Sequence, residues 1–434
     1  NGSVVEAEPV TDPESCVRSA TRNSMDVKHS DVKYPPWKDL PQDEAGMPAP
    51  LQPPDQGHEG KWRVKAATTE ELDDAMLKCG LTDNKYLDDA QLHTLRQLLA
   101  YTWHMYDPIL RPVESPPVGV QFLDPMQTPI KIPAYRSNAV KLAFMKDMIQ
   151  EWLRDGIIKP ADSPWGFPVV IVPKPMGRGW RMCVDLRKLN EVIKHDAYMS
   201  PRNDDALVWL AAKRIRSTLD IRWGYHNIML NEQAQQIMTF TTPLGSFSYV
   251  RLPFGLATAG ALFQRYMNQV LDKWLWDSAI AVVDDVAVGT ATVEEHMTKV
   301  IEIVCTLAEK GFSVKVDKMH LFVKEFIFLG HLSTETGLEA TDHLITAVKD
   351  MPVPQAGSED PKKQLRSFLG MASYARKFIK DYAKKSQPLN QLLEKGAAFE
   401  WTDQCQAAWD EIVEALCLKV GLWSPDYDQP LYIR

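Results

Sequence analysis

The sequence predicts an α+β fold, because two kinds of hydrophobic pattern alternate along the middle of the chain. Apolar, β-branched runs such as residues 167–172 indicate strands. Apolar residues that recur every three or four positions over 258–274 and 293–310 indicate amphipathic helices. The patterns interleave without an internal repeat, which excludes a solenoid and favours a layered α+β arrangement over a doubly wound parallel sheet.

Length and composition indicate a globular protein with more than one domain. The chain has 434 residues, enough for two or three domains with a sizeable core, and its 45% hydrophobic and 24% charged residues are typical of globular proteins. No stretch of about 18 uncharged apolar residues occurs, so we expect no transmembrane helix and no membrane partner. The six cysteines form no Cys-x-x-Cys pair, which argues against zinc and favours a reducing compartment.

Charge is distributed unevenly, and the formal net charge of -8 hides this. Residues 1–60 contain 11 acidic and 5 basic side chains together with nine prolines. Such a segment cannot bury enough apolar surface to offset its chain entropy, so we expect a disordered, Pro-rich acidic tail. Residues 361–395 contain nine Lys and Arg residues and only two acids. This local excess indicates a phosphate-bearing partner, although a charged helix is often only a solvated surface.

Local signals place individual elements. Asn138 can cap a helix that Gly156 ends. A hairpin is expected over 167–184, with turn residues at 176–179. The remaining expectations are a helical segment over 68–106, strands at 215–220, 237–241, 247–251, 279–283 and 286–288, mostly helices after 341, and a strand-like piece at 431–434.

Two adjacent acids interrupt an apolar, β-like run over residues 279–288. Burying Asp284 or Asp285 ionised and unpaired would cost several kcal/mol. A solvated hairpin turn explains the pair as well as a site for Mg2+ or Mn2+, ions that prefer carboxylate oxygen. Asp220 ends another apolar strand, where it could be a turn or cap residue. Together the three acids supply the carboxylates that two-metal phosphoryl transfer requires.

Eight short sequence blocks occur in a fixed order in the last three quarters of the chain. They are Ser163-Pro164-Trp165 with Pro168-Val169-Val170, Trp180 to Asn190, Leu219-Asp220 to Gly224-Tyr225-His226, Leu252-Pro253-Phe254-Gly255-Leu256 to Phe263-Gln264, Val283-Asp284-Asp285, Phe328-Leu329-Gly330-His331, Leu365 to Gly370, and Phe399-Glu400-Trp401-Thr402. In this order and at this spacing the blocks resemble the reverse transcriptase segment of a gypsy-like LTR retrotransposon Pol polyprotein. A single Val-Asp-Asp motif would be weak evidence, but chance agreement of all the blocks is negligible.

The resemblance implies a right-hand polymerase fold with a disordered N-terminal tail and a truncated start of the connection and RNase H region. The implied segments are a disordered tail over 1–60, a helical lead-in over 61–115, fingers and the first part of the palm over 116–255 with a palm strand near 215–235, the palm with the catalytic dyad and primer grip over 256–340, a thumb over 341–395, and a connection-like segment over 396–434.

The resemblance also implies an RNA-directed DNA polymerase that copies primed RNA or DNA. Asp220 and Asp284 would hold two Mg2+ or Mn2+ ions, and Asp285 would complete the catalytic and metal-binding triad. A primer 3'-hydroxyl would attack the α-phosphate of a deoxynucleoside triphosphate and release pyrophosphate. The implied partners are therefore a primer-template duplex and deoxynucleoside triphosphates.

Five further residues match nucleotide-binding positions of the family. Lys174 and Arg181 match finger residues that grip the triphosphate, although a solvated charged turn would look the same. Tyr225 matches a steric gate that crowds a ribose 2'-hydroxyl, although it could be a core aromatic. Phe254 and Gly255 match the block beneath the incoming nucleotide.

Six residues match positions that contact the primer and template. Close backbone approach favours glycine at such a contact, and cations favour phosphates. The residues are Leu329, Gly330 and His331 of a primer grip, and Arg366, Arg376 and Lys377 of the thumb.

Several departures from the family pattern keep alternatives open. Val282 replaces a usual Tyr, Trp223 replaces a small residue, and Gly260 stands where Pro is common. They leave open a decayed or domesticated Pol segment that binds nucleic acid without polymerising. A metal nuclease that uses the same acids would leave Lys174, Arg181 and Tyr225 unexplained.

The end of the chain and the missing motifs limit the other activities that we expect. The sequence stops where the family begins its RNase H strand, and it contains no Asp-Thr/Ser-Gly protease signature or His-His-Cys-Cys integrase module. We therefore expect no RNase H, protease or integrase activity from this sequence. We expect an intracellular, cytoplasmic location in a virus-like particle; a nuclear phase, a dimer and association with the remaining Pol domains stay open.

Overall fold

The computed structural model describes residues 66–82, 84–174, 179–334, 337–354 and 360–418. The described residues belong to one compact unit. The expected tail over 1–60, the hairpin tip at 176–178 and the strand-like piece at 431–434 lie outside them. Within these ranges, no helix combines the length and the apolar character needed to cross a membrane.

Helices precede, separate and follow the strands. In chain order they are α1 (Thr69–Lys78), α2 (Asp89–Tyr101), α3 (Ala139–Arg154), α4 (Arg187–Asn190), α5 (Asn203–Ala211), α6 (Glu232–Ile237), α7 (Ala259–Val270), α8 (Val293–Glu309), α9 (Asp342–Lys349), α10 (Pro361–Tyr374), α11 (Tyr382–Gln391) and α12 (Asp403–Cys417). Short 3-10 helices cover Trp103–Tyr106, Gly224–Asn227, Asp272–Trp274, Val316–Lys318 and Arg376–Phe378.

Helix α3 shows how local sequence sets these limits. The Asn138 side chain accepts a hydrogen bond from the Lys141 N–H at 2.9 Å, and so caps the first turn. Gly156, just beyond the last turn, has a φ of +64°, which a residue with a side chain adopts less readily. The expected start and end of this helix are confirmed.

The strands form three sheets. They are β1 (Ile158–Pro160), β2 (Phe167–Pro173), β3 (Trp180–Val184), β4 (Ile215–Asp220), β5 (Thr239–Thr242), β6 (Gly245–Tyr249), β7 (Ala279–Val282), β8 (Asp285–Thr290), β9 (His320–Val323), β10 (Phe326–Phe328), β11 (His331–Thr334) and β12 (Gly337–Ala340). The five-stranded sheet has the order β1-β6-β5-β2-β3, the four-stranded sheet β7-β8-β4-β9, and the three-stranded sheet β10-β11-β12. The α+β arrangement is confirmed.

The strand predicted at 215–220 is confirmed as β4, which covers only the first part of the palm segment near 215–235 that the resemblance implied. Strand β4 ends at Asp220, because Trp223 and Gly224 adopt left-handed φ values of +69° and +48°. These values turn the chain into the 3-10 helix Gly224–Asn227. Tyr225 consequently lies in this 3-10 helix and not in a continued strand.

One apolar cluster joins the C-terminal helices to the sheets. It contains residues of β7 and β8, of β10 and β12, and of α9 to α12. The Phe368 and Trp409 rings stack with centroids 3.5 Å apart, which fixes α10 against α12. The helices that follow residue 341 are therefore packed on the same core as the four-stranded sheet.

A buried arginine connects two of the sheets. Arg216, on β4, is 2% exposed. Its guanidinium donates to the Ser333 hydroxyl at 2.5 Å and to the Thr334 carbonyl at 2.8 Å, both on β11. Because these bonds to a charged donor are buried, they hold the three-stranded sheet in a fixed position beside β4.

A buried histidine fastens helix α8 beneath the four-stranded sheet. His296 is fully buried, and its two ring nitrogens lie 2.7 Å from the Ser217 hydroxyl and 3.0 Å from the Thr290 hydroxyl. Ser217 lies on β4 and Thr290 on β8. Burial lowers the pKa of His296 from 6.5 to about 3, so the ring is neutral at pH 7.

The neutral His296 makes stability depend on pH. The unfolded chain takes up a proton on this residue below pH 6.5, whereas the folded chain does so only near 3. The free energy of unfolding should therefore be fully retained above pH 6.5 and should fall by about 2 to 3 kcal/mol toward pH 4.5 from this residue alone. Urea unfolding across this range measures the change.

Two variants separate His296 from the titrating carboxylates. His296→Gln keeps an amide donor and acceptor but cannot titrate, so its stability deficit relative to the wild type should shrink as the pH falls. His93→Gln, which replaces an exposed histidine on α2, should follow the wild type throughout. A deficit for His296→Gln that stays constant with pH would contradict the assignment.

Candidate active site

The three acids singled out from the sequence lie at one end of the four-stranded sheet. Asp220, the last residue of β4, is paired in register with Asp285, the first residue of β8. Asp284 lies in the two-residue turn between β7 and β8, and its carbonyl accepts from the Ile221 N–H at 2.9 Å. All the remaining residues of β4 and β8 are buried, so Asp220 and Asp285 are the residues of these strands that reach toward solvent.

The turn that carries Asp284 is conformationally strained and is held from below. Val283 has a φ of +57°, a left-handed value that is unfavourable for a β-branched residue. Its N–H donates to the Gln264 side-chain oxygen at 2.7 Å, and the Gln264 amide nitrogen donates to the Ala281 carbonyl at 2.9 Å. Gln264 is fully buried on α7. This single side chain therefore binds the end of β7 and the first residue of the turn.

Lysines balance the charge at the end of β4. The Lys318 ammonium lies 2.9 Å from one Asp220 oxygen, and the Lys315 ammonium pairs with the other. Both lysines come from the segment around the 3-10 helix Val316–Lys318, and the hydrogen bond to Asp220 raises the pKa of Lys318. Burial first, and then the charges of Asp284 and Asp220, raise the pKa of Asp285 to about 6.

The donor set at this position fits a hard divalent cation. The carboxylates supply only oxygen. Burial, and then the charges of Asp284 and Asp220, raise the pKa of Asp285, and a positive ion would relieve the repulsion among the three acids. Within the described ranges, no three or more His, Cys, Asp and Glu side chains are arranged to hold an ion alone. Mg2+ commonly completes its coordination with water and substrate phosphates, which is consistent with this arrangement.

A cavity joins Asp220 and Asp285, but not Asp284, to the turn of the expected primer grip. It has a volume of about 300 Å³, and its lining includes Asp220, Asp285, Lys318, Leu329 and Gly330. A molecule in this cavity would contact both the carboxylates and the turn between β10 and β11. The expected nucleotide-binding and thumb residues are not part of this lining.

Lys174 and Arg181 lie on the five-stranded sheet. Arg181 pairs with Val172 across strands β3 and β2, and the Lys174 N–H donates to the Gly179 carbonyl at 2.7 Å. Since side chains alternate along a strand, Lys174, two residues beyond Val172, faces the same side as Arg181. Both side chains are exposed.

Tyr225 lies in a group of aromatic rings next to the acids. Its ring centroid lies 5.0 Å from that of Phe254 and 5.8 Å from that of Phe263. Burial, with a further contribution from the Asp284 charge, raises the pKa of Tyr225. Phe254 is 53% exposed, which is unusual for a large aromatic ring.

The loop that carries Phe254 and Gly255 is held by the last residue of helix α4, which follows the β2–β3 hairpin. The Asn190 side chain donates to the Gly255 carbonyl and accepts from the Ala257 N–H, both at 2.9 Å. Gly255 has a φ of +90°, and a Cβ there would meet the Val184 carbonyl at 3.6 Å. Asn190 thus fixes the loop beside β3.

The expected primer grip is a tight hairpin. Leu329 and Gly330 form the two-residue turn between β10 and β11, with φ values of +46° and +74°. His331 begins β11 and is 3% exposed, and its Nδ1 lies 3.0 Å from the Leu329 carbonyl. The first two residues therefore reach the cavity, whereas His331 supports the turn from beneath.

The basic residues of the expected thumb differ in their surroundings. Arg366 on α10 and Arg376 after it are exposed. Lys377 is partly buried, and its ammonium lies 3.1 Å from an Asp204 carboxylate oxygen on α5. Among the described side chains, the two arginines are free of such an ion pair and can contact a polyanion directly, whereas Lys377 is engaged in the ion pair with Asp204 on α5.

Sequence reasoning missed four side chains that shape this site. Lys315 and Lys318 lie in a short charged segment, and no local pattern connects them to an acid some 95 residues away. Gln264 stands at an apolar position of an amphipathic helix, which is a signal that could have marked it. Tyr374 contacts the Leu329 turn only because α10 packs there.

Comparison with known proteins identifies the family. Residues 172–332 match the family described as reverse transcriptase (RNA-dependent DNA polymerase). The chain carries a reverse transcriptase domain. The retrovirus-related Pol polyprotein from transposon 412 of Drosophila melanogaster is 31% identical over 333 residues, which are 74% of this chain and 26% of that protein. The corresponding protein from transposon gypsy of the same organism is 31% identical over 255 residues, 58% of this chain and 24% of that protein.

The chain spans about a quarter of the length of these two relatives, 26% of the first and 24% of the second. Among solved structures, the foamy viral protease-reverse transcriptase in complex with dsDNA matches 85% of this chain and 76% of its own, with a TM-score of 0.73 at 24% identity. The same protein with an RNA/DNA hybrid matches 83% of this chain and 48% of its own, with a TM-score of 0.70 at 24% identity. The expected family and right-hand fold are confirmed.

The contacts of Gln264 lead to a stability prediction. Gln264→Leu keeps the side-chain volume but leaves the Val283 N–H and the Ala281 carbonyl without this partner. We expect the free energy of unfolding to fall by about 2 to 3 kcal/mol, the cost of unpaired buried polar groups. Met267→Leu, a volume-conserving change at a fully buried position of the same helix, should cost less than about 1.5 kcal/mol. Equal effects in thermal unfolding would show that Gln264 acts only by filling space.

Proposed function

We propose that the chain is an RNA-directed DNA polymerase that extends a primer on an RNA or DNA template. The observation that carries this proposal is the placement of Asp220 opposite Asp285 in the lining of a cavity that the Leu329–Gly330 turn also lines. Asp284 lies in the adjoining turn between β7 and β8. Carboxylates would suit a polyanionic strand end once they hold divalent cations, because the cations attract phosphate. The match to the reverse transcriptase family supports the same reaction.

Asp220, Asp284 and Asp285 would hold two Mg2+ or Mn2+ ions. When bound, such ions neutralise phosphate charge and stabilise the attacking and leaving oxygens of an in-line displacement. Lys315 and Lys318 would exchange part of their pairing with Asp220 for contacts to incoming phosphates, which carry more negative charge. Until then, the two lysines hold the Asp220 carboxylate in a fixed orientation.

The nucleotide would lie between the five-stranded sheet and the acids. Lys174 and Arg181, exposed on one side of the β2–β3 hairpin, would bind the triphosphate as charge-assisted donors. The exposed Phe254 ring would contact the base or sugar, since aromatic faces stack on any base. Tyr225, held by Phe254 and Phe263, would crowd the 2'-position of the sugar.

The duplex would be bound through its phosphates. Arg366 and Arg376 are exposed on the thumb, and the surrounding segment 361–395 is strongly basic. Contacts of this kind carry no base code, so affinity should fall with salt and vary little with sequence. The solved foamy viral relatives that share the fold are complexes with an RNA/DNA hybrid and with dsDNA.

Primer extension on a poly-rA/oligo-dT duplex with Mg2+ or Mn2+ tests the activity. We expect extension by the wild type, and at least about a thousandfold loss for Asp220→Asn or Asp284→Asn, because developing charge in the transition state is then poorly stabilised. Duplex affinity should stay within about twofold, since neither acid binds phosphate directly.

The matched control is Asp272→Asn, which neutralises an exposed acid outside the sheet. It should extend primers like the wild type. If the wild type binds duplex in a salt-sensitive way but extends nothing, the decayed Pol segment becomes the better explanation. If the labelled duplex is degraded instead, the protein is a nuclease.

Substitution of Tyr225 tests the assignment of a steric gate. Tyr225→Ala should lower the preference for deoxynucleotides over ribonucleotides by about tenfold or more, because a cavity replaces the ring next to the sugar. Tyr225→Phe keeps the ring and should keep the preference. The measurement is the ratio of kcat/KM for dTTP and UTP, and an unchanged ratio in Tyr225→Ala would exclude the gate.

A further inference from the structure

A thumb tyrosine is bound to the hairpin turn at the catalytic cavity. The Tyr374 hydroxyl donates to the Leu329 carbonyl at 2.7 Å and lies 3.4 Å from His331 Nδ1. The Tyr374 and His331 rings pack with centroids 4.9 Å apart. Tyr374 is the last residue of α10, so the contact joins the thumb to the β10–β11 turn.

The turn needs support because its backbone conformation is unfavourable. Both central residues have positive φ values, and leucine adopts such a value less readily than glycine. At Gly330 a Cβ would overlap the Tyr374 hydroxyl oxygen. Glycine at this position therefore allows both the turn and the close approach of the tyrosine.

The tyrosine is itself held by a rigid element. Helix α10 buries Leu365, Phe368 and Leu369 in the core shared by the C-terminal helices and the sheets. The stacking of Phe368 on Trp409 orders the same helix. The helix that carries Tyr374 is therefore anchored in the core, and the hydrogen bond from its hydroxyl restrains the Leu329 carbonyl.

The same turn lines the cavity that contains Asp220 and Asp285. We propose that Tyr374 is a positioning residue that holds the Leu329–Gly330 turn, and with it the end of the bound primer strand, at the correct place relative to the catalytic acids. The alignment of a primer end presupposes the polymerase function proposed above. It assigns to the thumb a direct role in aligning the strand end, in addition to phosphate binding.

The conservative variant Tyr374→Phe removes only the hydroxyl and keeps the ring contact with His331. We expect kcat for primer extension to fall about fivefold, the factor that one hydrogen bond contributes, because fewer bound primers are aligned. KM for the deoxynucleotide and Kd for the duplex should stay within about twofold. A purely structural or duplex-binding role would instead change Kd or the unfolding temperature and leave kcat unaffected.

Tyr382→Phe is the matched control. The Tyr382 hydroxyl also donates to a backbone carbonyl within the thumb, that of Leu369 at 3.3 Å, but it does not reach the turn. This variant should extend primers at the wild-type rate. Equal losses of kcat in the two variants would overturn the proposal.

A double-mutant cycle tests the contact without using catalysis. Gly330→Ala should destabilise the fold both through its positive φ and through overlap with the Tyr374 hydroxyl. Adding Tyr374→Phe should recover part of that loss in urea unfolding, because the overlapping atom is gone. Strictly additive effects would show that the two residues do not meet, and would overturn the proposal.

A fluorescent base analogue measures alignment directly. With 2-aminopurine at the primer 3' end of a bound duplex, Tyr374→Phe should change the fluorescence of the complex toward that of a mobile base, and Tyr382→Phe should not. This readout needs no turnover, so a wild-type protein that fails to extend primers would refute the polymerase function while the alignment could still be confirmed. Wild-type fluorescence in Tyr374→Phe would overturn the positioning role.

Discussion

The register in which strands β4 and β8 pair places the carboxylates of Asp220 and Asp285 side by side, although they repel each other. A slip of one residue would move either acid to the opposite face of the sheet and bring apolar residues to the open end. All the remaining residues of both strands are buried, which makes such a slip costly. Hydrophobic burial along the strands is therefore what holds Asp220 and Asp285 in an electrostatically unfavourable arrangement.

Buried polar side chains give this arrangement its geometry. His296 binds β4 and β8 from below, Gln264 holds the strained turn between β7 and β8, and Arg216 fixes the three-stranded sheet beside β4. Each lies in a region of low dielectric, where a satisfied hydrogen bond is strong and an unsatisfied group is costly. Together, these buried side chains set the position of the acids relative to the Leu329 turn.

The charges at the site are only partly compensated by neighbouring side chains. Asp220 is paired with two lysines, whereas Asp285 is less compensated and has a raised pKa. The excess of carboxylate oxygen suits divalent cations, and the exposed basic residues of the thumb suit a polyanion. Net charge of the chain therefore says little about its partner, because phosphates respond to the field within about one Debye length.

The sequence by itself determined the α+β class, the limits of elements such as α3, the three acids, and the resemblance to reverse transcriptases. These features depend on local patterns: period-two and helical hydrophobicity, caps such as Asn138, and motifs that are contiguous in the chain. The limits of β4, Ile215–Asp220, were predicted too, but the left-handed turn at Trp223 and Gly224 was not, because tryptophan carries no local signal for a positive φ.

Only the tertiary structure decided which side chains surround the acids. Lys315 and Lys318 reach Asp220, Gln264 reaches Val283, and Tyr374 reaches Leu329 through packing of elements that are distant in the chain. Such contacts depend on sheet register and on helix docking, and no spacing in the sequence encodes either of them directly. The acids could therefore be named from the sequence, but the groups that orient and neutralise them could not.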